Sequence, residues 1–178
     1  MKLIDAIKVL EAYDKKGRFV YKNQDLAKLL HSNTTKALAA CLSRLTEKGV
    51  LIRAIKGVYV YGFSEHKTKF ILEHIAKAMR RGEYTYVSLE SILSEYGVIS
   101  QIPIDRLTLM TTGRKGEYKT PFGVIELTHT KRSINDILIN SVDVDRPLRI
   151  ATKHAALRDL YRVGRNTHLI DKGLIDDD

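Results

Sequence analysis

Leu38, Leu42 and Leu45 recur at helical spacing directly after the polar turn His31-Ser32-Asn33, and no other feature constrains the chain as tightly. Residues so spaced share one face of an α-helix, so the stripe must be buried, with Cys41 beside it. Lys36, Ala39, Ala40 and Ser43 then fall on the opposite side, with Arg44 at its edge. Ahead of the turn, Asn23 is a candidate N-cap for a helix carrying Leu26, Ala27, Leu29 and Leu30. Behind it, Val50 to Ala54 and Val58 to Tyr61 are β-branched and aromatic runs flanking Ile55-Lys56-Gly57, the pattern of two strands joined at a basic tip. Helix, tight turn, helix and hairpin is the order of a winged helix-turn-helix. Upstream, Leu3, Ala6, Ile7, Leu10 and Tyr13 predict a first amphipathic helix, and Phe19-Val20-Tyr21 a short strand.

Charge falls on the same segment. Residues 1 to 62 hold 12 Lys and Arg against 5 Asp and Glu, a net +7 of the chain's +9. The remaining 116 residues hold 18 against 16, a net +2. Basic potential gathered on such a motif is the footprint of a duplex-DNA binder, because phosphate neutralisation supplies most sequence-independent affinity. On a helix from Thr34 to Lys48 docked in the major groove, Asn33, Thr34, Thr35, Lys36, Ser43 and Arg44 are expected to reach base edges or phosphates. Ala39 and Ala40 allow close approach, and Lys56 at the hairpin tip is expected to touch a phosphate. Lys15, Lys16, Arg18 and Lys22 fit equally well a solvated face or a face beside the DNA backbone.

The length of 178 residues accommodates two small domains, and Gly62-Phe63-Ser64-Glu65 sets a boundary between 1–62 and 63–178. With 44% hydrophobic and 29% charged residues, and no apolar run near the ~20 residues that span a bilayer, no membrane insertion is expected. Neither a secretory signal nor a disulfide framework is readable, Cys41 being the lone cysteine, and the expected location is the cytoplasm. His31, His66, His74, His129, His154 and His168 show no metal-ligand spacing, and no cofactor is expected. Gly113-Arg114-Lys115-Gly116 lacks the spacing of a phosphate-cradling loop and reads as a hairpin turn. The carboxylates beyond residue 65 are dispersed, against the clustering that metal-assisted hydrolysis needs, so no enzyme is expected.

Past the boundary, Ile71, Leu72, Ile75, Ala78 and Met79 predict a helix ending near Arg80-Arg81-Gly82. Ser88 is a candidate N-cap for a short helix with Leu89, Ile92 and Leu93, stopped by Gly97. Alternation from Leu107 to Thr112, and an extended run from Val124 to His129 after Pro121-Phe122-Gly123, predict a small antiparallel sheet. Ile134 to Val144 carries both helical and strand periodicity and stays unassigned. Thr152 is a candidate N-cap for a helix with Ala156, Leu157, Leu160 and Tyr161, and Asp176 to Asp178 form an acidic tail. The expected fold class is α+β, a winged helix-turn-helix followed by a small mixed domain of helices and an antiparallel sheet. Arg80, Arg81, Arg114, Lys115, Lys119, Lys131 and Arg132 either gather into a second basic patch or stay scattered, partly neutralised by Glu83, Glu117 and Glu126.

The stretch Tyr86-Val87-Ser88-Leu89-Glu90-Ser91-Ile92-Leu93, with Tyr96-Gly97-Val98-Ile99 after it, resembles the AbiEi family of antitoxins from bacterial abortive-infection toxin–antitoxin systems. Tyr118-Lys119-Thr120-Pro121-Phe122-Gly123 with Glu126 and His129, the run Leu148-Arg149-Ile150-Ala151-Thr152, and Ala156-Leu157-Arg158-Asp159-Leu160 are similar as well. So are Leu42-Ser43-Arg44-Leu45 and Gly57-Val58-Tyr59, and the likeness spans nearly the whole chain. Lys153 departs from it, standing where that family usually has Pro. The resemblance implies an N-terminal domain that represses its own operon through inverted-repeat DNA; a dimer on that DNA is one option, and the oligomeric state stays open. It also implies a C-terminal domain that counters a nucleotidyltransferase-like toxin without a stable complex, the basic set from Arg80 to Arg132 being its candidate surface. A regulator of other genes, with a dimerising or ligand-sensing C-terminal domain, is the alternative.

Overall fold

A computed structural model describes residues 2–100 and 104–175; the acidic tail lies outside them. Among the described residues the chain is α+β, with seven α-helices and two sheets. It divides into compact units Met1–Met79 and Arg80–Asp178.

In the first unit, α1 (Leu3–Asp14) precedes β1 (Val20–Lys22), α2 (Asn23–Leu29), α3 (Thr35–Glu47), β2 (Leu51–Ile55), β3 (Val58–Tyr61) and α4 (Ile71–Met79). The strands form an antiparallel sheet ordered β1-β3-β2, with Val20 opposite Val60 and Ile52 opposite Val60 on the other side. Leu10, Phe19, Tyr21, Leu26, Leu45 and Leu51 are fully buried together in its core. The β2–β3 turn needs Gly57, which adopts φ +83°, a region open to glycine without a Cβ penalty.

Two expectations are corrected in this unit. Asn23 opens α2 but does not cap it. Lys22 is the N-cap, its amide donating to the Asp25 carboxylate at 2.9 Å, while the Asn23 amide donates to the Gly57 carbonyl at 3.1 Å and ties the helix start to the hairpin tip. The boundary falls after Met79, not after Gly62, because α4 packs against β1 and β3. Ile75, Ala76 and Ala78 bury its apolar stripe, and the His74 ring meets Phe19 edge-on at 4.8 Å. With α4 included, residues 1–79 hold 15 Lys and Arg against 7 Asp and Glu, so net +8 of the +9 belongs to this unit.

The second unit is built on six strands: β4 (Thr85–Val87), β5 (Arg106–Thr111), β6 (Gly116–Thr120), β7 (Gly123–His129), β8 (Ser141–Val142) and β9 (Arg149–Ala151). Their order is β6-β7-β5-β4-β9-β8. The expected antiparallel sheet is corrected to a mixed one, since β5 runs parallel to β7 and β4 parallel to β9. Gly113 to Gly116 is accordingly no hairpin turn between neighbours. It carries the chain past β7 to the sheet edge, and the tight hairpin is at Pro121-Phe122, where Thr120 faces Gly123. Helices α5 (Leu89–Glu95), α6 (Ile134–Ile139) and α7 (Lys153–Val163) complete the unit. The double periodicity of Ile134 to Val144 resolves into α6 followed at once by β8. Thr152 caps α7, accepting from the Ala155 amide at 3.2 Å.

The interior of this unit is polar at two places. Asp159, wholly buried, accepts from the Tyr86 hydroxyl at 3.0 Å, from Ser88 Oγ at 2.8 Å and from Arg132 Nε at 3.2 Å. Ser88 is the N-cap residue of α5 by position, yet its side chain makes no capping bond. Leu89 follows in the left-handed region at φ +59°, a conformation a branched side chain adopts only when its surroundings enforce it. Nearby, Arg165 clamps Glu90 through Nε at 3.0 Å and Nη2 at 3.1 Å and also contacts Glu126; Arg106 joins Glu126 at 2.8 Å to Glu117 at 3.0 Å. Burial by itself would raise the Glu90 carboxyl, but hydrogen bonds from Arg165 and Asn166 hold it below its ordinary 4.5.

A buried charge deprived of its counter-charge is strongly destabilising. Asp159→Ala, which takes from Arg132 its buried partner and leaves it Asp136 at 3.5 Å, is therefore expected to cost about 3 kcal/mol in urea unfolding. A carboxyl depressed on folding adds stability above its unfolded value and loses it as pH falls through the folded one. Unfolding midpoints should accordingly drop as the pH is taken below 4.5, and Glu90→Gln should flatten part of that acid limb.

Candidate nucleic-acid interface

Burial of Leu38, Leu42 and Leu45 fixes the rotation of α3. Thr35, Lys36, Ala39, Ala40, Ser43 and Arg44 are thereby exposed, as are Asn33 in the preceding turn and Lys56 at the hairpin tip. Thr34 has a local role: its Oγ1 accepts from the Ala37 amide at 3.1 Å and caps α3. The turn before it is closed by His31 in a left-handed conformation, φ +48°.

α3 stands as a ridge between two open grooves, and the residues singled out from the sequence divide between them. Thr35, Ala39, Ser43 and Lys56 line the groove between α3 and the β2–β3 hairpin. Asn33, Thr34, Ala40, Cys41 and Arg44 line the groove on the side of the turn. Lys36 lies on the exposed face and lines neither. The hairpin-side groove adds residues that the sequence reading missed: Asn23, Glu47, Arg53 and Tyr59. Glu47 was detectable, since it follows Ser43 by one helical turn. Arg53 is the exposed position of β2, between the intermediate Ile52 and the buried Ala54, and nothing in the local sequence sets it against the groove.

Counting charges does not distinguish cations that are already compensated from those that are not. Lys15 pairs with Glu11 at 3.0 Å, and Arg18 with Asp25 at 3.1 Å, its guanidinium also lying over the Tyr13 and Tyr21 rings. Lys36, Arg53 and Lys56 make no ion pair with another described residue. Their charge remains available to an anion; Arg53 and Lys56 line the hairpin-side groove, and Lys36 lies on the exposed face of α3. Ser43 Oγ donates to Glu47 Oε1 at 3.2 Å, within the same exposed face. Cys41 is half-buried, its Sγ 4.0 Å from Arg44 Nη2.

The basic residues of the second unit do not behave as one set. Arg132 is spent on Asp159 and Asp136. Arg80 lies over the Tyr118 ring, donates to its hydroxyl at 2.8 Å and to the Arg114 carbonyl at 2.7 Å, and so braces the loop that presents Arg114 and Lys115. Arg81, Arg114, Lys115, Lys119 and Lys131 are exposed. Among the described residues no group of three His, Cys, Asp or Glu side chains is placed to hold a metal ion, and no helix is long and apolar enough to cross a membrane.

No family model matches the chain, and no curated protein matches it. Its fold has a solved counterpart. The crystal structure of the RV2827C protein from Mycobacterium tuberculosis superposes with a TM-score of 0.60 at 13% identity, covering 88% of this chain. The chain spans 60% of the length of that protein. At this identity the similarity is one of fold alone.

Because Thr34 serves α3 before it serves any ligand, Thr34→Ala is expected to lower stability by about 1 kcal/mol, the usual worth of an N-cap side chain. Thr34→Ser should retain most of it. Thermal unfolding followed by circular dichroism checks both.

Proposed function

We propose that the first unit is a winged helix-turn-helix that binds double-stranded DNA, with α3 as recognition helix and the β2–β3 hairpin as wing. The observation carrying this reading is the exposed polar face of α3, edged by the uncompensated Lys36, Arg53 and Lys56, in a unit that holds net +8 of the chain's +9. Small side chains at Ala39, Ala40 and Ser43 admit the helix to a major groove, whose base edges Asn33, Thr35 and Lys36 then reach. Lys56 and Arg53 on the wing meet phosphate, which fixes register without reading sequence.

The resemblance to the AbiEi family supports a fuller assignment. The protein is a transcriptional autorepressor and antitoxin of the cytoplasm, binding inverted repeats upstream of its operon as a dimer and countering a nucleotidyltransferase-like toxin without a stable complex. It acts without catalysis of its own: Glu90, Glu117, Glu126, Asp136 and Asp159 are engaged by arginines, which opposes their use as metal ligands or general bases. Arg114, Lys115, Lys119 and Lys131 remain as the exposed candidates for the antitoxin surface.

Fluorescence-anisotropy titrations on the chain's own upstream region test the DNA assignment. Affinity should fall steeply with salt, as counterion release requires. Replacing Asn33, Thr35 and Lys36 together by Ala should abolish preference for the operator. Lys56→Ala should weaken all duplexes alike and reduce the salt slope by about 1. Unchanged affinity across these variants overturns the assignment. Co-expression with the product of the neighbouring gene, scored by growth, tests the antitoxin role.

A further inference from the structure

Within the basic face of α3 sits one carboxylate that electrostatics alone does not favour there. Glu47 lines the hairpin-side groove together with Ser43, Arg53 and Lys56. A groove serving only to hold a phosphodiester backbone is weakened by an acid facing it, since each phosphate carries the same sign of charge. A groove that also reads bases has a use for it.

The hydrogen bond between Ser43 and Glu47 decides which base. A serine hydroxyl has a single proton, and Ser43 directs it to Glu47 Oε1 at 3.2 Å. What the pair then offers outward consists of acceptors only: the lone pairs of Ser43 Oγ and the Glu47 carboxylate. Major-groove edges present two kinds of donor, the N4 amino group of cytosine and the N6 amino group of adenine. Adenine sets its N7 acceptor beside that amino group, where it would face the carboxylate lone pair against lone pair. Cytosine has an apolar C–H in the corresponding place, and its partner guanine sets its acceptors across the pair, within reach of a cation.

We infer that the Ser43–Glu47 pair is a specificity-determining element that selects a cytosine through its N4 amino group in the major groove. The inference rests on the DNA-binding reading above and deepens it: the preferred duplex carries a C·G pair at the position facing the last two turns of α3. Glu47 thereby excludes as well as selects, because at other sequences its charge approaches the DNA with no donor to meet it.

The test is selection from a randomised duplex pool by the full-length wild-type protein and by Glu47→Gln and Glu47→Ala, with enriched sites sequenced and their affinities measured. Wild type should enrich cytosine at one position per half-site and lose about tenfold in affinity when that C·G pair is changed, the usual worth of one good base contact. Glu47→Gln adds an amide donor, which matches the N6 and N7 edge of adenine, and should switch that position from cytosine to adenine. Glu47→Ala should leave it degenerate while non-specific affinity rises. Enrichment of the same base by all three proteins overturns the inference and leaves the DNA-binding reading standing. Enrichment of no sequence by wild type, with no affinity for any duplex in dilute salt, overturns the DNA-binding reading and this inference with it.

Discussion

The first unit depends on which way α3 faces, and three leucines decide that. Leu38, Leu42 and Leu45 are buried and leave no freedom for the helix to roll. A fully buried leucine side chain is worth roughly 1.5–3 kcal/mol, so exposing the stripe to present another face would cost an amount comparable to the margin by which a small domain is folded. Everything proposed for the outward side follows: the small residues project where a groove can receive them, and Lys36 projects where no carboxylate among the described residues pairs with it. The hairpin adds a second constraint, because the Asn23 amide bonds the Gly57 carbonyl. Helix α2 and the tip of the β2–β3 hairpin are thereby coupled through the backbone.

In the second unit the organising interaction is of the opposite kind, a buried carboxylate with its partners. Asp159 gathers a tyrosine from β4, a serine from the β4–α5 connection and an arginine from the segment before α6. Neither Arg132 nor Asp159 tolerates loss of the other, which restricts how these segments pack. The stretches on which an AbiEi-like assignment was proposed supply this interior: Tyr86, Ser88 and Glu90 from one, Glu126 from another, Asp159 from a third. These residues hold the fold together, whereas the exposed Arg114, Lys115 and Lys131 lie outside the stretches compared. That division explains why similarity of sequence in such a domain says more about architecture than about the surface a partner meets.

How much was legible in the sequence followed from how local each determinant is. Helix α3, the hairpin after it and the Thr152 cap of α7 rest on contacts within a few residues, and the spacing of apolar and capping side chains displays them. The mixed sheet does not rest on such contacts. Strand β6 reaches the edge beyond β7, an arrangement set by pairing partners that the alternation of Leu107 to Thr112 cannot express. Both faces of β5 are covered in any case, its residues from Leu107 to Thr111 all being buried. The hydroxyl of Ser88 has the position of a helix cap but is claimed by an aspartate 71 residues on. Helix α4 was misassigned for a similar reason, since periodicity gives the face a helix buries and is silent about which core receives it. At the candidate interface the exposed α3 residues were legible, whereas Asn23, Arg53 and Tyr59 reach the groove through tertiary structure.

Charge needs the same treatment as sequence pattern, because a net count weighs every cation equally. Of the basic residues in the first unit, Lys15 and Arg18 are held by carboxylates, and a cation already paired must exchange one partner for another to take a phosphate, with little net gain. The slope of affinity against salt follows the number of phosphates actually neutralised, so under the DNA-binding proposal it should reflect the cations around α3 and the β2–β3 hairpin. Few phosphate contacts per copy mean modest affinity per copy. A site recognised by one such unit would be weakly occupied at physiological salt, and two units on an inverted repeat multiply their contributions through effective concentration without any new kind of contact.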